Sequence, residues 1–148
     1  MEEKTFLITE NNFDKARSLI KQKSGEKIIF CGDDETNRKI LEKEQIYMLL
    51  LRQNIRKDFL KQRNSGFNEV MAKLAKKNEV NIGIDFDEII DSDKKAKSEV
   101  IARIRQNVKI CNKNKLKMMF FSEKRKLNSK EMQSLALILG MPTWMAKF

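Results

Sequence analysis

At 148 residues the chain amounts to one domain, long enough to bury a core. Its 31 Lys and Arg against 21 Asp and Glu leave a net charge of +10, which favours polyanionic partners, nucleic acid first and anionic membrane second. Histidine is absent, which excludes Ser/His and Cys/His triads and leaves zinc hydrolase sites without their usual ligands.

In chain order, Thr5–Thr9 (TFLIT) reads as a strand, and Phe13, Ala16 and Ile20 mark a helix over about 12–23. Lys27–Cys31 (KIIFC) is a second strand, followed by a short helix near 34–43 carrying Ile40 and Leu41. Residues 46–51 (IYMLLL) form a third strand, and the basic segment 52–63 follows it. Ser65 is the expected N-cap of a helix whose apolar stripe is Phe67, Val70, Met71, Leu74 and Ala75. Lys76, Lys77 and Asn78 close that helix with cations at the negative end of its dipole. Residues 80–84 form the fourth strand, where Gly83 admits a close neighbour. An acidic loop, DFDEIIDSD over 85–93, leads to a long helix over about 94–114 with Val100, Ile104, Val108 and Cys111 as its buried stripe. Residues 116–121 (LKMMFF) are the fifth strand, and Asn128 with Glu131 has capping-box spacing before a last helix that ends at Gly140. Trp144 is expected on the sheet edge.

Continuous apolar strands separated by crossover helices imply an α/β fold with a parallel sheet. A complete eightfold barrel typically needs ~250 residues, so a doubly wound sheet or an incomplete barrel fits. Cys31 and Cys111 match no metal spacing and read as reduced core thiols. With no apolar run near the roughly 18 residues of a membrane span, and no signal peptide in MEEKTFLITE, the chain is expected in the cytoplasm, away from membranes.

Loops leaving the C-terminal ends of parallel strands share one edge. They carry Arg38 after strand two; Arg52, Arg56, Lys57, Lys61 and Arg63 after strand three; and Lys124, Arg125, Lys126 and Lys130 after strand five. These are the candidate RNA-binding residues, because guanidinium forks and lysine point charges suit phosphates. Between them lie Asp85, Asp87, Glu88, Asp91 and Asp93, an acidic loop that admits a metal-dependent phosphoesterase using Asp85, Asp87 and Asp91, or simple helix capping. No glycine-rich turn follows a strand, and Phe59 and Phe67 are the only aromatics beside the basic loop. Structured RNA, read through shape and phosphates, fits better than a stacked single strand. A scaffold whose charge only keeps it soluble is the remaining alternative.

Several segments, in order, look like one family. Asn37-Arg38, Arg63-Asn-Ser-Gly-Phe-Asn68, Leu74-Ala-Lys-Lys-Asn78 leading into Ile82-Gly83, IARIRQNVKICNKNK over 101–115, the strand ending at Ser122 and the helix ending Leu139-Gly140-Met141 together resemble the archaeal ribonuclease P protein component 3. That family is related to the eukaryotic thirty-kilodalton subunit, and the resemblance covers about residues 4–142. It implies a TIM-like barrel related to the polymerase and histidinol phosphatase superfamily, without that superfamily's metal histidines. The implied role is that of a non-catalytic subunit supporting a catalytic RNA that removes 5′ leaders from precursor tRNA. Its implied partners are ribonuclease P RNA, precursor tRNA and another small protein subunit. No cofactor is expected on the protein itself, and Mg²⁺ is expected with the RNA.

The family pattern has a strand-helix unit before Thr5–Lys23 and continues beyond Trp144. The expectation is therefore a single truncated β/α-barrel domain over 1–148, open unless a partner fills the gap. The family's Arg and Pro after strand five are replaced by Leu127-Asn-Ser-Lys130. Arg38 and Arg63 stand at matching positions.

Overall fold

The computed structural model describes residues 4–54 and 56–148. Five strands alternate with helices: β1 (Thr5–Thr9), α1 (Phe13–Gln22), β2 (Lys27–Cys31), α2 (Asp34–Lys43), β3 (Met48–Leu51), α3 (Glu69–Lys77), β4 (Asn81–Asp85), α4 (Phe86–Asp91), α5 (Lys94–Lys113), β5 (Met118–Phe121) and α6 (Ser129–Ile138). Each strand pairs in parallel with the next, so the sheet order is β1-β2-β3-β4-β5. A doubly wound sheet reverses its strand order at a switch point. This sheet has no reversal.

Strand alternation divides the apolar side chains between two faces. Ile8, Ile28, Phe30, Leu49, Leu51, Ile82, Ile84, Met118 and Phe120 join the main core with Ala16, Ile40, Ala75, Ile104 and Met132 of the helices. The opposite face carries Ile29, Cys31, Met48 and Leu50, with Leu7, Tyr47, Met119 and Phe121 around them and, among the described residues, no helical one. Leu50 is nonetheless 0% exposed. The sheet therefore curves over that face enough to shield it by itself. Gly83 makes the curvature possible, since a Cβ there would stand 2.6 Å from Met48 Sδ and 3.1 Å from a Leu50 methyl.

The six helices of the described residues are N-capped by an Asn or Asp side chain, namely Asn12, Asp33, Asn68, Asp85, Asp93 and Asn128. Each carboxylate or amide oxygen satisfies an amide that has no partner within its helix, which is why these short polar residues stand at the helix starts. Three sequence expectations change here. Ser65 does not cap α3: Gly66 turns the chain at φ +73°, and the helix starts only once Asn68 Oδ1 accepts from Met71 N–H. The buried stripe is accordingly Met71, Ala72 and Ala75, and Val70 is exposed. The 85–93 segment is no open loop but holds α4, started by Asp85 accepting from Glu88 N–H. Trp144 lies beside the end of α5, its indole N–H donating to Asn112 Oδ1, whereas Phe148 meets Phe120 of the edge strand.

Both cysteines are buried, and burial pushes the Cys111 thiol up to about 12. No helix among the described residues is long and apolar enough to cross a membrane. Gly83→Ala should overpack the face of Met48 and Leu50 and lower stability by about 1–3 kcal/mol. Urea unfolding measures this, and a neutral result would mean that the sheet there is not tightly curved.

Candidate nucleic-acid interface at the strand ends

The loops leaving β3 and β5 do meet the α4 segment that follows β4, and their charges bind one another. Asp87, a buried carboxylate, accepts from Ser122 Oγ at 2.6 Å, the Glu123 and Lys124 amides at 3.0 and 3.3 Å, and Arg125 Nη1 at 2.7 Å. Asp91 takes Arg125 Nη2 at 2.6 Å and Lys124 Nζ at 3.1 Å. Arg52 bridges Asp85 and Glu123, both at 3.2 Å. Glu88 reaches across to accept from the amides of Gln53 and Asn54, tying the start of the β3 loop to α4.

These groups surround a cleft of about 470 Å³ lined by Asp85, Asp87, Glu88, Asp91, Asp93 and Glu123, with Arg52 and Lys124 the cations on its wall. Bonds from Arg125 and then Lys124 hold the Asp91 carboxyl down at about 2. Burial would raise Asp87, and the bonds from Ser122, Arg125 and the two amides outweigh it, so its pKa falls. Glu88 goes the other way: desolvation raises it, with the amides of Gln53 and Asn54 opposing. Among the described residues no three Cys, Asp or Glu side chains converge to hold a metal ion.

A second groove, about 610 Å³, lies between α2, the 59–68 loop, α3 and α5. Its loop wall hangs on Arg103 of α5, which is 3% exposed. That guanidinium donates to Gln53 O at 2.9 Å, Arg56 O at 2.8 Å and Asp58 Oδ1 at 2.9 Å, with Glu99 at 3.9 Å. Gln106, one turn on, donates to Arg63 O at 2.9 Å and Ser65 Oγ at 3.2 Å. Arg56 forms a two-pronged pair with Asp34 of α2, at 2.9 and 3.0 Å. Gly66 packs directly under it, where any Cβ would collide with the guanidinium.

The sequence-predicted residues therefore fall into groups. Arg38 and Arg63 line the second groove together, with Arg63 sharing Asp58 with Arg103. Lys57 and Lys61 are exposed on the loop that walls it. Arg56 is held by Asp34, and Arg52, Lys124 and Arg125 belong to the acidic cleft. Lys126 and Lys130 are exposed beyond both. Among the described residues the side chains of Arg38, Lys57, Lys61, Lys126 and Lys130 make no ion pair. Sequence reasoning missed Arg103 and also Asn107, whose buried amide donates to Ser65 O at 3.5 Å. Their spacing carried a signal, since they fall at i+3 and i+7 from Val100, on the buried stripe of α5.

No protein-family model matches this chain, and no curated protein matches it. A chain in the cryo-EM structure of archaeal ribonuclease P with mature tRNA superposes on it with a TM-score of 0.79 at 20% sequence identity. The likeness is one of fold. It covers 95% of this chain and 62% of that one, so this chain spans under two thirds of the length of its structural neighbour.

Arg103→Met should leave two loop carbonyls without a donor, while Asp58 keeps Arg63, costing about 1–3 kcal/mol in urea unfolding. The acidic web carries a separate expectation. Because Asp91 is depressed to about 2 in the folded protein, its contribution is complete above the ordinary carboxyl range near pH ~4 and disappears as pH falls through the folded value. Melting temperatures at neutral pH and at about pH 2.5 should show a smaller acid loss in Arg125→Ala than in the parent.

Proposed function

We propose that this chain is a protein subunit of ribonuclease P, binding and supporting the catalytic RNA in 5′-leader removal from precursor tRNA without itself performing the cleavage. The observation that carries this reading is the likeness of fold, over 95% of the chain, to a chain of the archaeal ribonuclease P assembly. The net charge of +10 and the segments resembling component 3 point the same way. Sequential parallel strands with one self-shielded face suit part of a TIM-like barrel.

The groove with Arg38 is the better phosphate site of the two. Its acids each have a cation already: Asp34 pairs with Arg56, Glu35 with Lys39, and Glu69 with Lys113. Among the described residues Arg38 has no counter-charge there, whereas a phosphate entering the other cleft meets six carboxylates. Precursor tRNA and a second small protein subunit are the further partners of this reading, with Mg²⁺ supplied to the RNA and the chain working in the cytoplasm.

Addition of the protein to a ribonuclease P RNA, with candidate partner subunits, should raise precursor tRNA cleavage, and cleavage by the protein without RNA would contradict the reading. In filter binding to that RNA, Arg38→Ala should reduce the salt slope of log K by roughly 0.7–0.9, the change expected when one phosphate is no longer neutralised. An unchanged slope would remove Arg38 from the interface.

A further inference from the structure

We propose that the groove between α2 and the 59–68 loop receives one unstacked nucleotide of the RNA, its base lying on Phe59 and its phosphate on Arg38. This rests on the RNA-binding reading above and adds to it a local single-nucleotide pocket within an otherwise shape-read surface.

Phe59 is 58% exposed yet lines the groove, an aromatic face left open where most phenylalanines of the chain are buried or half-buried. Stacking on such a face tolerates any base. Around it lie side-chain amides with unused capacity. Among the described residues the side chains of Gln62 and Asn64 have no hydrogen-bond partner, and Asn68 engages only its oxygen, as the α3 cap. Free amides can donate to and accept from base edges, which an exposed nucleotide presents and a paired one does not. The floor of Phe67, Met71 and Ile110 is apolar, matching the flat faces of a base.

Charge completes the fit. Arg38 has no ion-pair partner among the described residues, and Arg63 shares the Asp58 carboxylate with buried Arg103, so Arg63 is only partly neutralised. Both guanidiniums stand at the same groove as Phe59. At about 610 Å³ the groove falls within the ~300–1,000 Å³ typical of small-ligand sites. Arg103, through its grip on the loop carbonyls, fixes where Phe59 is presented and acts as a positioning residue.

The test compares a fully paired RNA hairpin with the same hairpin carrying a single 2-aminopurine bulge, using anisotropy for affinity and 2-aminopurine fluorescence for the base itself. The bulged hairpin should bind roughly tenfold more tightly, as one stacked base allows, and its fluorescence should be quenched on binding. Phe59→Ala should abolish both the preference and the quenching while leaving affinity for the paired hairpin unchanged. Phe59→Trp should restore them. The exposure of Phe59 means neither variant should alter melting temperature, which controls for folding. Equal affinity for the two hairpins, or quenching that survives Phe59→Ala, would overturn the pocket while the RNA-binding reading stands. Failure of both hairpins to bind at low salt would overturn the pocket and count against RNA binding as well.

Discussion

The arrangement of the strand-end surface depends on one buried guanidinium. Arg103 projects from α5 into the loop that leaves β3 and donates to two of its carbonyls and to Asp58. A charge 3% exposed is tolerable only when its donors are satisfied, and this one has backbone and carboxylate acceptors in nearly every direction. The described residues of this loop form no helix or strand, so these bonds, together with those from Gln106 and Glu88, replace a sheet or helix ladder. Fixing the loop in turn sets Arg56 against Asp34 and leaves Arg63 at the groove.

Convergence of the strand ends has two opposite consequences. Where acidic α4 meets the basic loop beyond β5, Asp87 and Asp91 neutralise Arg125 and Lys124. Several of these pairs are half exposed and individually worth about 0–1 kcal/mol, so their main effect is on the local field, which remains acidic. Across the loop, each groove carboxylate has a cation of its own, and Arg38 has no counter-charge among the described residues. The net charge of the whole chain is thus a poor guide to where an anion would settle. The pairing decides.

Much of the fold is legible in the sequence. Short β-branched and aliphatic runs such as KIIFC and TFLIT become β2 and β1 with the expected bounds, because apolar runs of that length between turn residues have few alternatives. The start of α3 is harder to place, because Ser65 is as good a cap by type as Asn68. The positive φ of Gly66 makes the choice between them, and no periodicity reports it. The acidic segment resembles a loop because six residues are too few to show a helical stripe, yet Asp85 caps it into α4. Candidate cations can be assigned to strand ends from the sequence, but which of them are paired depends on side chains distant in sequence: Arg56 with Asp34, Arg52 with Glu123, Arg103 with Asp58. Only the fold brings those together.

The strand-end surface thus has two sides of different character, a groove whose Arg38 has no counter-charge among the described residues and a cleft lined by six carboxylates. Photocrosslinking of 4-thiouridine-substituted ribonuclease P RNA to the intact protein, with crosslinked peptides mapped by mass spectrometry, distinguishes them directly. Crosslinks confined to the segments around Arg38 and residues 56–68 are expected. Crosslinks concentrated on the 85–93 and 122–126 segments, with none at the groove, would contradict that division.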